Sequence, residues 1–207
     1  MTTTPAYDLR AKWLVALLPE VAFDGWTDEA TTKAADSIGL SAGERALAAP
    51  HGVADLIEHF FDDAENAARE TLKELDVSEM RVPDKVKQGV LAWLSALDPH
   101  REAVRRAGLR AALPWATGPA ASRAWRVADM IWTEAGDTSE DYNKYSKRGI
   151  LAAVLPSIVF RWADSPEDSE LDAYISRQLK RASNTGRAAG KLMKPALDAF
   201  SRLSSKT

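Results

Sequence analysis

Apolar residues return every three or four positions from one end of this chain to the other, and no segment alternates apolar with polar residues. A set repeating at 3.6 residues can be buried only on one face of a helix. The chain is therefore predicted to be all-α, a bundle of nine or ten helices held together by those faces. Leu9, Trp13, Leu14, Leu17, Leu18 and Val21 form the first stripe, with Pro19 predicted to bend it. Val53, Leu56, Ile57, Phe60, Phe61, Ala64, Ala68, Leu72 and Leu75 mark a long helix from about Gly52 to Leu75. Val86, Val90, Trp93, Leu94 and Leu97 follow Pro83, which suits a first helical turn. Pro99 opens a helix containing Leu109 and Leu113, and Pro119 one with Ala121, Trp125, Ala128, Ile131 and Trp132. Leu171, Ile175 and Leu179 follow Pro166, and Met193, Leu197, Phe200 and Leu203 follow Gly190.

Local punctuation near the N-terminus is specific. Thr27 can cap a helix whose first residues, Asp28 and Glu29, complement its dipole, and Gly39 follows the last apolar residue as a stop. Ser41 with Glu44 is a capping box, and Pro50 ends the short helix it starts. Two helices joined through Gly39-Leu40-Ser41 are the sequence form of a helix-turn-helix. Charge argues against DNA as its partner, because Val21–Phe60 carries Lys33 and Arg45 against seven acids. Affinity for a duplex rests on neutralising phosphates, and the segment that would read bases offers Arg45 alone. A three-part organisation follows: 1–50 as a helix-turn-helix unit, 51–186 as a larger helical unit, and 187–207 as an amphipathic terminal helix.

The stretch from Ala135 to Asp164 reads as one helix with two characters. Asp137, Ser139, Asp141, Tyr142, Asn143, Lys144, Tyr145, Lys147 and Arg148 crowd its first half. Leu151, Val154, Leu155, Ile158, Val159 and Trp162 make a single stripe in its second. Asp137 followed by Glu140 resembles a capping box and predicts the helix start there.

Catalytic machinery is sparse. The chain has no cysteine, which excludes disulfides, thiolate metal sites and cysteine nucleophiles, and fits a reducing cytoplasm. His51, His59 and His100 stand in no metal-ligand spacing, and there is no phosphate loop or nucleophile elbow. His59, within Glu58-His59-Phe60-Phe61, reads as a packed histidine. No resident metal or cofactor is expected, and no run of eighteen apolar residues offers a membrane span. The opening MTTTPAYDLR lacks the regions of a secretory signal.

Binding surfaces are better marked. Trp93, Trp125, Trp132 and Trp162 lie on apolar stripes beside Leu94, Leu97, Leu113, Ile131, Leu155 and Val159, and converging faces of this kind make either a plain core or a pocket for a large apolar ligand. From Ser176 to Thr207 there are eight basic residues and one acid, so the tail carries +7 and the remainder −10. Within it Lys191, Met193, Lys194, Leu197 and Phe200 combine an apolar face with basic flanks, the pattern of a helix lying on anionic lipid.

The sequence AGDTSEDYNKYSKRGILAAV resembles the central motif of the accessory lipid-binding proteins of coenzyme Q (ubiquinone) biosynthesis, matching it at Asp137, Ser139, Asp141, Asn143, Tyr145 and Arg148. Trp125-Arg126-Val127-Ala128-Asp129, Ile131-Trp132 and the N-terminal FDGWTDEATTKAADSIGLS also fit. That resemblance implies the fold of TetR-type regulators without their DNA recognition. It implies a non-enzymatic homodimer, cytoplasmic and peripheral to the inner membrane, that binds an isoprenoid lipid or ubiquinone precursor among Trp93, Leu94, Leu97, Leu113, Trp125, Ile131, Trp132, Leu151, Leu155 and Val159. It further implies docking of the di-iron demethoxyubiquinone hydroxylase through Asp141, Lys144, Tyr145 and Arg148. Lys144 stands where the family has tryptophan. A rival reading from the helix-turn-helix is a TetR-type regulator sensing a small apolar ligand.

Overall fold

The computed structural model describes residues 4–75, 79–113, 116–140, 142–164 and 167–184. The Thr4 hydroxyl accepts from the Tyr7 amide, and Pro5 supplies a first turn that needs no N–H; together they start α1, Pro5–Asp24. Trp13, Leu14, Leu17 and Val21 are its buried face, with Leu9 and Leu18 partly covered, as their spacing predicts. Thr27 caps α2 (Asp28–Ser37) by accepting from the Ala30 amide. Gly39 ends α2 at φ 69°, which lets the Leu40 and Gly39 amides turn back onto the carbonyls of Ala35 and Asp36. The capping box between Ser41 and Glu44 forms in both directions and starts α3, Ala42–Ala48.

α4 (Val53–Glu74), α5 (Val82–Leu97), a 3-10 turn at Asp98–His100, α6 (Arg101–Ala111), α7 (Thr117–Glu134) and α8 (Tyr142–Ala163) follow, and residues 168–184 are helical as well. No strand occurs among the described residues. The bundle is all-α and consistent with the TetR-like arrangement, with eight bounded helices and the 168–184 segment against nine or ten expected. The last expected helix, around Met193, lies outside the described residues.

One apolar core runs from Trp13 to Ile175, so the first three helices are not set apart from the rest. α1 packs on α4 and α6 as well as on α2 and α3. The Trp26 indole donates to the Ala103 carbonyl at 2.8 Å, and its ring tilts against Phe60. Arg106 reaches the Ala22 carbonyl near the end of α1, one of the acceptors a helix end leaves open. α5 meets α7 at Gly89, where a Cβ would lie 2.7 Å from Ile131 Cγ2, so only glycine permits this approach.

Three expectations change. α6 buries Ala103, Val104 and Ala107; Leu109 is exposed on the opposite side, and Leu113 lies past the end of the helix, exposed as well. Small residues let α6 lie close to its neighbours, and Arg110, one turn after Ala107 at the edge of the same side, binds the Trp26 carbonyl. α7 buries Val127, Ala128, Met130 and Ile131, whereas Ala121 and Trp125 in its first half face outward. That half is joined to α4 by charge: Arg123 and Arg126 both pair with Glu58, Arg126 also with Asp62, and the Arg123 guanidinium covers Phe61 at 4.5 Å. Finally, Ala135–Asp164 is not one helix. Gly136 at φ 82° closes α7, its amide and that of Asp137 bonding back to Thr133 and Trp132, and α8 begins only at Tyr142.

Candidate functional site at the turn between α7 and α8

Because the chain leaves α7 through Gly136, Asp137 is set inside the turn instead of capping a helix. Its carboxylate accepts from Lys147 Nζ at 2.7 Å, the Ser139 hydroxyl at 2.8 Å and Arg148 Nη1 at 2.9 Å. Arg148, the next residue of α8 after Lys147, is 3% exposed; it also donates to Asp129 of α7 and to the Lys144 carbonyl. Lys147 extends over the Trp132 ring, 5.4 Å from its centroid, and the Trp132 indole donates to the Lys147 carbonyl at 3.2 Å. Burial by itself would raise the Asp137 carboxyl, but the hydrogen bonds from Lys147, Ser139 and Arg148 outweigh it and hold it at about 2. A carboxylate that stays ionised between two cations cannot serve as a proton donor near neutrality. It fixes the geometry of the turn.

Arg148 therefore sits beneath the surface that the motif suggests for docking, while Tyr145 is the residue that emerges. Tyr145 is 61% exposed and stacks on Trp125, with centroids 6.5 Å apart and planes 25° from parallel. Gly149, one turn after Tyr145, gives Trp125 room: a Cβ there would already be 3.5 Å from its ring. Lys144 lies alongside, half-buried, and Asp141 lies outside the described residues. The pairing of Trp125 with Tyr145 had no signal in the sequence, where they stand twenty residues apart. Asp129 was visible only as part of a matching motif.

On the inner side, Trp93, Leu94, Leu97, Ile131, Leu151 and Leu155 are buried together, with Trp132 and Val159 partly covered, and Leu113 and Trp125 at the surface. The Trp93 indole N–H, 5% exposed as a residue, has no hydrogen-bond partner among the described residues. Two concave regions lie elsewhere, one on α2 lined by Asp28, Glu29, Thr32, Lys33 and Asp36, the other between α8 and the 168–184 helix around Arg161 and Glu170. In the helix-turn-helix, Arg45 spends its guanidinium on the Leu40 carbonyl and Asp36. No helix among the described residues is long and apolar enough to cross a membrane. The residues expected at a membrane, Lys191, Met193, Lys194, Leu197 and Phe200, fall outside the described residues.

A family model described as COQ9 matches residues 117–186, starting at the first residue of α7 and spanning the whole turn. The rat protein named "Ubiquinone biosynthesis protein COQ9, mitochondrial" is 30% identical over 185 residues, 85% of this chain and 59% of its own length. The chain belongs to the COQ9 family. The human protein of the same name is 30% identical over 190 residues, again 59% of its length. A Dictyostelium discoideum protein named "Probable ubiquinone biosynthesis protein coq9, mitochondrial" is 28% identical over 173 residues, 55% of its length. The chain thus spans somewhat under two thirds of the COQ9 relatives it matches. Within it, the family match contains Trp125, Asp129, Asp137, Tyr145 and Arg148, so the ion network and the aromatic pair both fall in the matched region.

Proposed function

We propose that this COQ9-family protein is a non-enzymatic accessory factor of ubiquinone biosynthesis that binds an isoprenoid quinone precursor at an anionic membrane and presents it to a partner hydroxylase. The relatives' names support the pathway. The observation that carries the mechanism is α8 itself, which turns Leu151, Leu155 and Ile158 into the core while Tyr145 stacks outside on Trp125. One rigid helix would so connect a ligand-facing side to a partner-facing side. The need for such a carrier is physical, since a polyprenyl tail opposes aqueous transfer by about 0.8 kcal/mol per exposed CH₂.

In this reading the faces of α5, α7 and α8 around Trp93, Ile131, Leu155 and Val159 part to admit the tail. Trp125, Lys144 and Tyr145 meet the di-iron hydroxylase, with Asp141 beside them, and Arg148 braces them from below. The basic tail around Lys191, Met193, Lys194, Leu197 and Phe200 holds the homodimer on the lipid surface. Lipid extraction and native mass spectrometry of protein purified from its host test the reading, together with flotation on anionic vesicles. A co-purifying isoprenoid and salt-sensitive flotation are expected. Protein that carries no lipid and stays off the vesicles overturns it.

A further inference from the structure

A covered indole normally finds a carbonyl, and this chain follows the rule at three positions. Trp13 donates to Thr31 at 2.9 Å, Trp26 to Ala103 at 2.8 Å and Trp132 to Lys147 at 3.2 Å. Trp93 breaks it, for its N–H is buried without a hydrogen-bond partner among the described residues. Leaving a donor unpaired in the interior costs more than an ordinary hydrogen bond returns. Phenylalanine would suit this place on the α5 stripe better if packing were its only task. A water could hold the N–H only with two or more further polar partners. Of the buried polar side chains among the described residues, Thr31 is bound to the Thr27 carbonyl and Arg148 to Asp129 and Asp137, while His59 stands against Tyr7 of α1.

Trp93 lies one turn after Gly89, on the face of α5 that meets α7 at Ile131. In the carrier reading, on which this inference rests, that wall parts to admit the ligand. An indole N–H is neutral and only donates, so it pairs with an uncharged acceptor oxygen. Arg148 is the only lysine or arginine buried among the described residues, and two carboxylates already hold it. A carboxylate or phosphate beside Trp93 would therefore be a buried charge without a counter-ion. We infer that Trp93 is the specificity-determining donor of the ligand site, its Nε1–H bonding a neutral carbonyl or ether oxygen of the bound lipid. The site then takes isoprenoid quinones in preference to fatty acids and prenyl phosphates. A ligand without such an oxygen leaves the donor unpaired, which is how a buried polar group discriminates.

Three probes separate these properties: decylubiquinone carries neutral oxygens, decylbenzene the same chain without them, and laurate a charge. In the isotope-labelled full chain, the Trp93 indole signal is assigned by its loss in Trp93→Phe. It should move downfield with decylubiquinone and stay in place with decylbenzene. Replacing Trp93 by the tryptophan isostere that has sulfur for N–H keeps the ring and its packing. That change should weaken decylubiquinone about tenfold and decylbenzene less than about twofold. The parent should bind laurate at least about tenfold more weakly than decylubiquinone. An indole signal that does not move, an isostere that weakens both probes alike, or laurate bound as tightly as the quinone overturns the inference and leaves the carrier reading standing. A parent protein that binds neither decylubiquinone nor decylbenzene fails the carrier reading, and the inference falls with it.

Discussion

Arg148 and Asp137 form an ion pair at 2.9 Å between side chains that are 4% and 5% exposed, and this pair holds the turn from α7 into α8. Each has a second partner, Asp129 for Arg148 and Lys147 for Asp137, so the charges cancel within one closed network. Removing one member leaves an uncompensated charge under the surface. Arg148→Ala should destabilise the protein by about 3 kcal/mol, read as a fall in the urea midpoint with an unchanged slope.

Acid should expose the same network. The Asp137 carboxyl sits at about 2 when folded and near 3.9 in an unfolded chain, so the unfolded state binds the proton first as the pH falls. Its contribution is fully present above about pH 5 and is lost towards pH 2, amounting to about 2–3 kcal/mol. Asp137→Asn should be less stable at pH 7 and should flatten that part of the stability–pH curve. A curve as steep as the parent's would assign the acid sensitivity to other carboxylates.

His59 predicts a second, separate pH dependence. It is 2% exposed, with Tyr7 edge-on at 4.8 Å, and burial lowers its pKa against the pull of Asp63 at 3.6 Å. A depressed folded pKa means stability that is present above about 6.5 and declines as the pH falls below it. The urea midpoint should drop between pH 6.5 and 5, and His59→Asn should remove that slope.

Gly89→Ala should cost about 1–2 kcal/mol although alanine is the better helix former, because its methyl would meet Ile131 Cγ2 at 2.7 Å. Combined with Ile131→Ala, the two losses should sum to less than their separate values in a double-mutant cycle. Strict additivity would mean that α5 and α7 can shift apart freely.

Tyr145→Ala should leave stability within about 1 kcal/mol, since the ring is mostly exposed and loses only its stack on Trp125. If the pair meets a partner, the same change should weaken capture of the hydroxylase at least tenfold, and Lys144→Trp should strengthen it. Surface plasmon resonance against the purified partner reads both.

Much of the bundle was legible because burial in a helix needs one face. Most stripe residues of α1, α4, α5 and the second half of α8 are buried, with Leu9, Leu18, Val154 and Val159 partly covered and Leu75 exposed just past α4. The caps at Thr27 and Ser41 and the glycine stop at Gly39 were legible too, since each satisfies backbone groups within four residues. Where the sequence misled, a long-range partner overruled a local pattern. Asp137 and Glu140 look like a helix start, yet Asp137 is claimed by Lys147 and Arg148, ten and eleven residues on. Leu109 is the large apolar residue of one side of α6, yet the smaller residues Ala103, Val104 and Ala107 on the other side are the ones buried.

What the sequence determined by itself, then, is everything set by neighbours one helical turn apart: the all-α class, the stripes, the caps and the charge asymmetry. The tertiary structure decided what depends on distant pairs. It put Arg148 under the motif and Tyr145 on top of it, and it joined Tyr145 to Trp125 across two helices. Periodicity can say that a residue lies on a face, but the charge or ring that waits opposite that face is supplied by a different part of the chain.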